Sequence, residues 1–275
     1  MARGRKLEAL ADYQRALKKK IGLGEGHEYM PWLRVQDVNS RGNSAKIDGL
    51  KSNRTHHTLS EHETCFFYLA EFCDSVIDIR EQFPLLPLDL SVKIALTLGI
   101  EHPINPQSKD KEVSVMTTNF LLTRTYGTNT WYEAISVKPE SELKDKRTAE
   151  KLEIERVWWQ LQGIRFHLFV MTGQNKIQSR NIQWFTSPYR HGVRFPEDLM
   201  EAAKTRIQPG TILIEELCNT FVQELGVDQE EALMLFKVLL ATKQVVVDLD
   251  KPIAESSVAE VLEVNFQKLE QHHAS

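Results

Sequence analysis

Residues 131–172 combine a strand, a long helix and a second strand, and this order restricts the topology of the chain. "WYEAISVKP" (131–139) alternates as a strand does, and "SELKDKRTAEKLEIERVWWQLQG" (141–163) begins at a serine that can cap a helix and ends at glycine. "IRFHLFVMT" (164–172) predicts a buried strand. Because strands joined by a crossover helix run parallel, the segment predicts a parallel pair inside a mixed α/β sheet.

A third strand is predicted before this segment. It is "VMTTNFLLT" (115–123), and the turn "RTYGTN" (124–129) joins it to the strand at 131–139. A hairpin centred on Gly127–Thr128 places Asn119 opposite Ser136, with Lys138 further along the same face. An amide, a hydroxyl and an ammonium group would then share one patch. A shift of one residue in the pairing would separate them.

Helical patterns also occur before this sheet. "LEALADYQRALKKK" (7–20) and "SEHETCFFYLAEF" (60–72) both predict helices, and "SVIDIREQFPLLP" (75–87) predicts a strand that runs into a loop. Ser60 is a suitable N-cap, and Glu63 stands three residues later. From spacing alone, a capping box explains Glu63 better than a catalytic role does.

The chain changes character near residues 173–190, which are polar and predict a turn-rich boundary. Helices are predicted at 197–206, 211–225 and 229–242, and "QVVVDLDKPI" (244–253) predicts a short strand with a turn. Three helices followed by a β segment are typical of a winged-helix-like module. Three parts are therefore expected: a basic arm and lead-in (1–57), a catalytic core (58–175) and a mostly helical domain (176–275).

Charge is unevenly distributed along the 275 residues, whose net charge is −4. Residues 1–60 contain twelve Lys and Arg against six Asp and Glu. A basic arm on an acidic body is one way to contact nucleic acid, although charge alone favours a solvated tail without a partner. The candidate contacts in the arm are Arg3, Arg5, Lys6, Lys18, Lys19 and Lys20.

Hydropathy predicts a location in the cytoplasm without a membrane anchor. No apolar run approaches the roughly 18 residues of a membrane span. The opening "MARGRKLEAL" lacks the apolar core of a signal peptide. Residues 191–275 are not notably basic, so the helical domain is interpreted as a protein-binding module rather than a DNA-binding regulator.

A strand lysine near a polar strand residue and a helical glutamate is a pattern found in nucleases. Carboxylates in such sites hold Mg²⁺ beside the scissile phosphate, and the lysine orients water and neutralises developing charge. Spacing alone favours a simpler interpretation of Lys138, as an edge lysine whose ammonium reaches solvent.

Five longer segments of the sequence resemble the motifs of a known family. "HHTLSEHETCFFYLAEF", "VIDIREQFPLLP", "MTTNFLL", "ISVKP" and "RTAEKLEIERVWW" occur in the order seen in TnsA, the endonuclease subunit of bacterial heteromeric transposases, some of them CRISPR-associated. The resemblance implies a restriction-endonuclease-like core followed by a winged-helix C-terminal domain. It also implies cleavage of the 5′ strands at transposon ends, with a DDE transposase (TnsB) and an AAA+ ATPase regulator (TnsC) as partners.

The resemblance assigns roles to individual residues. Glu63 matches the family's helical acid and Lys138 its active-site lysine. Asn119 stands where the family has a metal-binding aspartate, and Ser136 stands where it has Gln or Glu, at a position whose main-chain carbonyl can also be a ligand. The implied cofactor is Mg²⁺, with Mn²⁺ as a substitute, bound by Glu63, Asn119 and Ser136. Further DNA contacts are expected at His57, Lys144 and Arg147.

Asn119 is the informative departure from the family pattern, because a neutral amide binds a hard cation far more weakly than a carboxylate does. Two explanations stay open: a naturally silent subunit, or an aspartate replaced by asparagine in an otherwise intact site. Retention of Glu63 and Lys138 favours the second. The alternative function is a catalytically dead adaptor that bridges the transposase and its ATPase regulator.

Overall fold

The computed structural model describes residues 5–38, 43–105, 108 and 110–266. The described chain divides into two compact units, one ending at Thr172 and the other beginning at Gly173. Within the described residues, no helix is both long and apolar enough to cross a membrane.

The first unit is built on a four-stranded mixed sheet with strand order β3-β4-β5-β6. Its strands are β3 (Val76–Pro84), β4 (Thr117–Tyr126), β5 (Asn129–Val137) and β6 (Arg165–Phe169). β5 and β6 are parallel and the other pairs are antiparallel, which confirms the predicted crossover.

The register of the β4–β5 hairpin is also as predicted. Phe120 pairs with Ile135, and the strands turn at Gly127, whose φ of 59° suits a glycine. The next position therefore brings Asn119 beside Ser136. β6, in contrast, is a partly exposed strand of the sheet rather than the buried strand predicted, because it pairs only with β5.

Helices cover both faces of this sheet. The helices of the unit are α1 (Leu10–Lys18), α2 (Glu61–Phe72), α3 (Leu88–Thr97) and α4 (Lys146–Leu161), with single 3-10 turns at Gly26–Glu28, Val35–Asp37 and Glu140–Glu142. Phe66 of α2 packs on Phe120, whereas α3 and α4 share a core with Leu121. Because neighbouring strand residues point to opposite faces, α2 lies on one face and α3 and α4 on the other.

Two elements differ from the sequence prediction in this unit. α4 begins after Asp145, whose carboxylate accepts from the N–H of Thr148, so Asp145 and not the serine at 141 caps the helix. The sequence analysis predicted neither α3 nor the hairpin of β1 (Ala45–Asp48) and β2 (Thr55–Thr58).

The basic segment is folded rather than an extended arm. α1 packs through Tyr13 and Ala16 against Trp32, and the Tyr13 hydroxyl donates to the Val113 carbonyl oxygen at 3.1 Å. The described residues before β1 therefore belong to the same unit as the sheet.

The second unit contains five helices and three strands among its described residues, which extend to residue 266. They are α5 (Gly173–Arg190), α6 (Glu197–Lys204), β7 (Gly210–Leu213), α7 (Ile214–Leu225), α8 (Gln229–Ala241), β8 (Val245–Val247), α9 (Ile253–Ser256) and β9 (Val258–Val264). The strands form an antiparallel sheet in the order β7-β9-β8. The winged-helix assignment of this unit stays a prediction.

The turn-rich structure predicted for residues 173–190 is wrong, because these residues form the 18-residue helix α5. Asn181 shows why its polar composition misled: the buried amide donates to the carbonyl oxygens of Leu249 and Lys251 and accepts from the N–H of Ile253. Polar side chains of α5 are thus used inside the fold. A predicted helix at 211–225 likewise begins only at Ile214, after strand β7.

Candidate active site

Glu63 lies in the first turn of α2 and is 7% exposed. Ser60 caps the helix by accepting from the Glu63 N–H at 3.2 Å. The Glu63 carboxylate does not complete the capping box on Ser60. Its Oε2 instead accepts from the N–H of Leu59 at 2.9 Å, and its Oε1 faces the sheet. The cap and the carboxylate therefore have separate tasks.

Asn119 connects Glu63 to β5. Its Nδ2 donates to Glu63 Oε1 at 2.9 Å, and its Oδ1 accepts from the N–H of Val137 at 2.8 Å and from Ser136 Oγ at 3.4 Å. Asn119 thus contacts both of the other predicted residues: Ser136, as the hairpin register requires, and Glu63 of α2.

Lys138 follows the last residue of β5, and its N–H donates to the carbonyl oxygen of Phe169 at 3.1 Å. This main-chain hydrogen bond holds Lys138 at the end of the parallel β5–β6 pair. The ammonium group of Lys138 is close enough to both Glu63 and Glu155 to favour their ionised forms. The charge of Lys138 therefore acts on two buried carboxyl groups.

Glu155 of α4 is a site residue that the sequence analysis missed. It is 5% exposed, and its Oε1 has no hydrogen-bond partner among the described residues. The signal was present in the sequence, because Glu155 lies on the face of α4 that buries Ile154, Trp158 and Trp159. A buried carboxylate with an unpartnered oxygen on an apolar helical face is costly and therefore informative.

Burial raises the pKa of both site glutamates. For Glu63 it raises the pKa to about 7, although the Leu59 N–H, the charge of Lys138 and the amides of Gln82 and Asn119 act in the opposite direction. Burial also raises the pKa of Glu155 to about 7, against hydrogen bonds with Thr118 and Ser136 and the charge of Lys138. Perturbed carboxyl groups gathered in one place are typical of functional sites.

A cleft opens beside these residues. Its lining includes Thr117, Lys138, Glu142, Thr148, Lys151 and Glu155. The cleft is lined by both lysines and glutamates. Sites that bind a phosphate and a cation together also combine positive and negative side chains.

The donor set matches a hard divalent cation at all positions but one. Glu63 and Glu155 provide carboxylate oxygens, the unpartnered Oε1 of Glu155 among them, and oxygen is the ligand that Mg²⁺ and Mn²⁺ prefer. The misfit is Asn119, whose NH₂ group is directed at Glu63 where a further oxygen ligand is needed. Across the part of the chain that the structure describes, no three His, Cys, Asp or Glu side chains are grouped as a metal site.

Glu81 of β3 is another buried carboxylate in this unit, and it is surrounded by the Arg54 guanidinium, the His56 imidazole and a main-chain N–H. Its oxygens accept from Arg54 at 2.8 and 2.6 Å, from the N–H of His57 at 3.1 Å, and pair with His56 Nδ1 at 2.8 Å. Complete burial opposes ionisation, yet the His56 imidazole and the Arg54 guanidinium hold the pKa of Glu81 at about 2.

The predicted DNA contacts separate into buried and exposed groups. Arg5 donates to the carbonyl oxygens of Pro31 and Trp32, and His57 is buried with Nδ1 accepting from the N–H of Val35. Both residues have structural contacts within the unit, and their role as DNA contacts stays a prediction.

The remaining predicted contacts are at the surface or outside the described residues. Lys6, Lys18, Lys19, Lys20 and Lys144 are exposed. Arg147 is half-buried and pairs with Glu150 at 2.9 Å. Arg3 lies outside the described residues. The exposed lysines stay predictions as DNA contacts.

Comparison with known proteins agrees with this geometry. Residues 73–171 match the family model described as TnsA-like endonuclease N terminal, and residues 175–249 match TnsA endonuclease C terminal. Together the two matches cover more than half of the chain. The chain is also 43% identical over 173 residues to the Transposon Tn7 transposition protein TnsA of Escherichia coli, an alignment that spans 63% of this chain and 61% of that protein.

Proposed function

The chain belongs to the TnsA endonuclease family, and we propose that it is the subunit of a cut-and-paste transposase that hydrolyses the 5′ strands at transposon ends. With asparagine at position 119, the metal site is weakened and cleavage is lost. The chain with aspartate at position 119 is the active form.

One observation carries the proposal: Glu63 of α2 contacts Asn119 of β4, 56 residues later in the chain, and Ser136 and Lys138 at the end of β5 belong to the same group. Glu155 of α4 belongs to the same group, because the charge of Lys138 acts on it as well. The family resemblance predicts a site residue at each of the first four positions, and the contacts support those roles.

The cation is proposed to be held by Glu63, an aspartate at 119 and the main chain at Ser136, with Glu155 nearby. When bound, it supplies charge neutralisation at the scissile phosphate and acidifies the attacking water. Lys138 orients that water and offsets the negative charge that develops on the phosphate oxygens. The water oxygen bonds to phosphorus and the bond to the 3′ oxygen breaks, which leaves a 3′-hydroxyl and a 5′-phosphate.

The test is to restore the carboxylate. Asn119→Asp is expected to give strand cleavage of transposon-end DNA that depends on Mg²⁺ or Mn²⁺, in a mixture that contains the partner transposase and regulator. Lys138→Ala in the Asn119→Asp background should abolish cleavage, whereas Lys93→Ala, which changes an exposed lysine of α3, should leave it intact. If Asn119→Asp stays inert in the complete mixture, the proposed metal site is wrong.

A second function is favoured by the hydrogen bonds of Asn119. Both ends of its amide have partners, on Glu63 and on Val137, so position 119 makes its hydrogen bonds without a cation. This supports a catalytically dead adaptor that bridges a transposase and its ATPase regulator. The adaptor predicts integration with uncut 5′ strands and no effect of Lys138→Ala in the chain as it stands.

The partners form part of the same proposal. They are transposon-end DNA, a DDE transposase resembling TnsB, and an AAA+ ATPase resembling TnsC that binds the second unit, all in the bacterial cytoplasm. Exposed lysines 18–20 and Lys144 are the proposed phosphate contacts. Charge reversal at these lysines should weaken binding to DNA of any sequence and reduce its dependence on salt concentration.

A further inference from the structure

Gln82 of β3 is a buried residue with an unusual backbone conformation. It is 3% exposed and has a φ of 49°, in the left-handed region that side chains with a Cβ rarely adopt. Such conformations persist where surrounding contacts hold them, and they are concentrated at functional sites. Gln82 falls between the pairs Glu81–Phe120 and Phe83–Thr118, and so lies across from Asn119.

The side-chain amide of Gln82 has a partner at each end. Its Oε1 accepts from Thr117 Oγ1 at 3.1 Å, and its Nε2 donates to Glu63 Oε2 at 3.1 Å. Because a carboxylate only accepts, the NH₂ end of the amide is directed at Glu63, and the Thr117 hydroxyl donates to the oxygen end and holds the amide in this orientation. The reversed amide would place an oxygen against an oxygen of Glu63.

These contacts distribute the two oxygens of Glu63. Oε2 accepts from the Leu59 N–H and from Gln82, whereas Oε1 contacts only Asn119 among the hydrogen bonds that the structure describes for it. With Oε2 held by two donors, the orientation of the carboxylate is determined and Oε1 is directed at position 119.

We propose that Gln82, oriented by Thr117, is a positioning residue that holds Oε2 of Glu63 and directs Oε1 at the cation site. This inference rests on the proposed function, because the proposed function makes the Glu63 carboxylate a ligand of the cation. Outer residues that orient a metal ligand commonly change metal affinity by about 10–100-fold when they are replaced.

Three substitutions separate positioning from simple packing. Gln82→Met keeps an unbranched side chain of similar length and removes the donor. Thr117→Val removes the hydroxyl that orients the amide and leaves Gln82 in place. Thr125→Val is the matched control, because it removes a hydroxyl from the hairpin end of the same strand, where Thr125 donates to the Asn129 carbonyl oxygen.

The first experiment is crystallographic and uses the chain with Asn119. Gln82→Met and Thr117→Val are expected to move the Glu63 carboxylate out of hydrogen-bond distance of Asn119, and Thr125→Val should leave it in place. A carboxylate that superimposes on the parent in both site variants overturns the inference. If Gln82→Met does not fold, the structure of Thr117→Val decides.

The second experiment measures Mn²⁺ affinity by titration calorimetry in the Asn119→Asp background, with melting temperature as the check on folding. We expect about 10-fold weaker binding with Gln82→Met and about threefold weaker binding with Thr117→Val. Unchanged affinity in folded Thr117→Val and Gln82→Met proteins overturns the inference. If Asn119→Asp alone binds no Mn²⁺, the proposed function fails, and the crystal structures still decide the positioning role.

Discussion

Glu63 and Glu81 are both buried carboxylates of the same unit, yet their surroundings are opposite. Glu81 faces Arg54 and His56, and its pKa is about 2. Glu63 is held by neutral N–H donors, with the charge of Lys138 nearby, and its pKa is about 7. A carboxylate that serves the fold is matched with cations, whereas one that can accept a ligand is left without full compensation.

Glu155 belongs with Glu63 in this comparison, since burial also raises its pKa to about 7. The two kinds of carboxylate make the stability of the protein depend on pH in opposite directions. Glu81 stabilises the fold when it is ionised, and Glu155 does so when it is protonated. Substitution of Glu81 or of Glu155 therefore removes one of these two opposite dependences on pH.

The largest expected effect is that of Glu81→Gln. It removes the charge that compensates Arg54, whose side chain is 8% exposed, and should lower the free energy of unfolding by about 3–5 kcal/mol at pH 7. Denaturant unfolding of the two proteins measures the difference. Because the folded pKa is depressed, the contribution is present above about pH 4.5 and disappears as the pH falls towards 2.

A surface pair provides the matched control for this substitution. Glu153 pairs with Arg156 at 2.7 Å, and both side chains are more than 40% exposed. Glu153→Gln should therefore change the free energy of unfolding by less than about 1 kcal/mol. Equal losses for Glu81→Gln and Glu153→Gln would contradict a special role for burial at Glu81.

Glu155→Gln should change the free energy of unfolding in the opposite direction from Glu81→Gln, and by a smaller amount. A raised folded pKa means that the stabilising contribution of the protonated carboxyl is complete below about pH 4.5 and is lost as the pH rises through about 7. The glutamine variant does not titrate, so it should become more stable than the parent by about 2–3 kcal/mol at pH 8. Below pH 4.5 the advantage should vanish.

Melting temperatures of the Glu155→Gln protein and its parent across pH 4 to 8 measure this change. A constant difference between the two proteins over that range would show that Glu155 does not titrate as described. In the Asn119→Asp background the same substitution should reduce cleavage, and stability gained with activity lost is the pattern expected of a functional site.

The comparison of the two carboxylates also shows which parts of the site could be predicted from the sequence. The site at Asn119, Ser136 and Lys138 was predictable in part, because a two-residue turn at Gly127 and Thr128 determines the hairpin register. The identity of the helical acid came from family resemblance, since Ser60 and Glu63 have the spacing of a capping box. Local spacing does not distinguish a glutamate that caps its own helix from one whose carboxylate contacts a strand of the sheet.

The remaining features depend on contacts between distant segments. Gln82 contacts Glu63 and Thr117 only after β3, α2 and β4 have packed together, and its positive φ has no signal in its residue type. Glu81 depends on Arg54 and His56 of a hairpin that was not predicted. The polar face of α5 misled for the same reason, because the partners of Asn181 lie about 70 residues away in sequence.

The smallest expected effect separates the two tasks at the start of α2. Ser60→Ala removes the acceptor for the Glu63 N–H and should lower the free energy of unfolding by about 1 kcal/mol. Because Leu59 and Gln82 hold the Glu63 carboxylate and Ser60 does not, the Mn²⁺ affinity of the Asn119→Asp form should stay unchanged. Parallel unfolding and calorimetric titrations test this, and a loss of affinity with Ser60→Ala would mean that the helix cap and the carboxylate act as one unit.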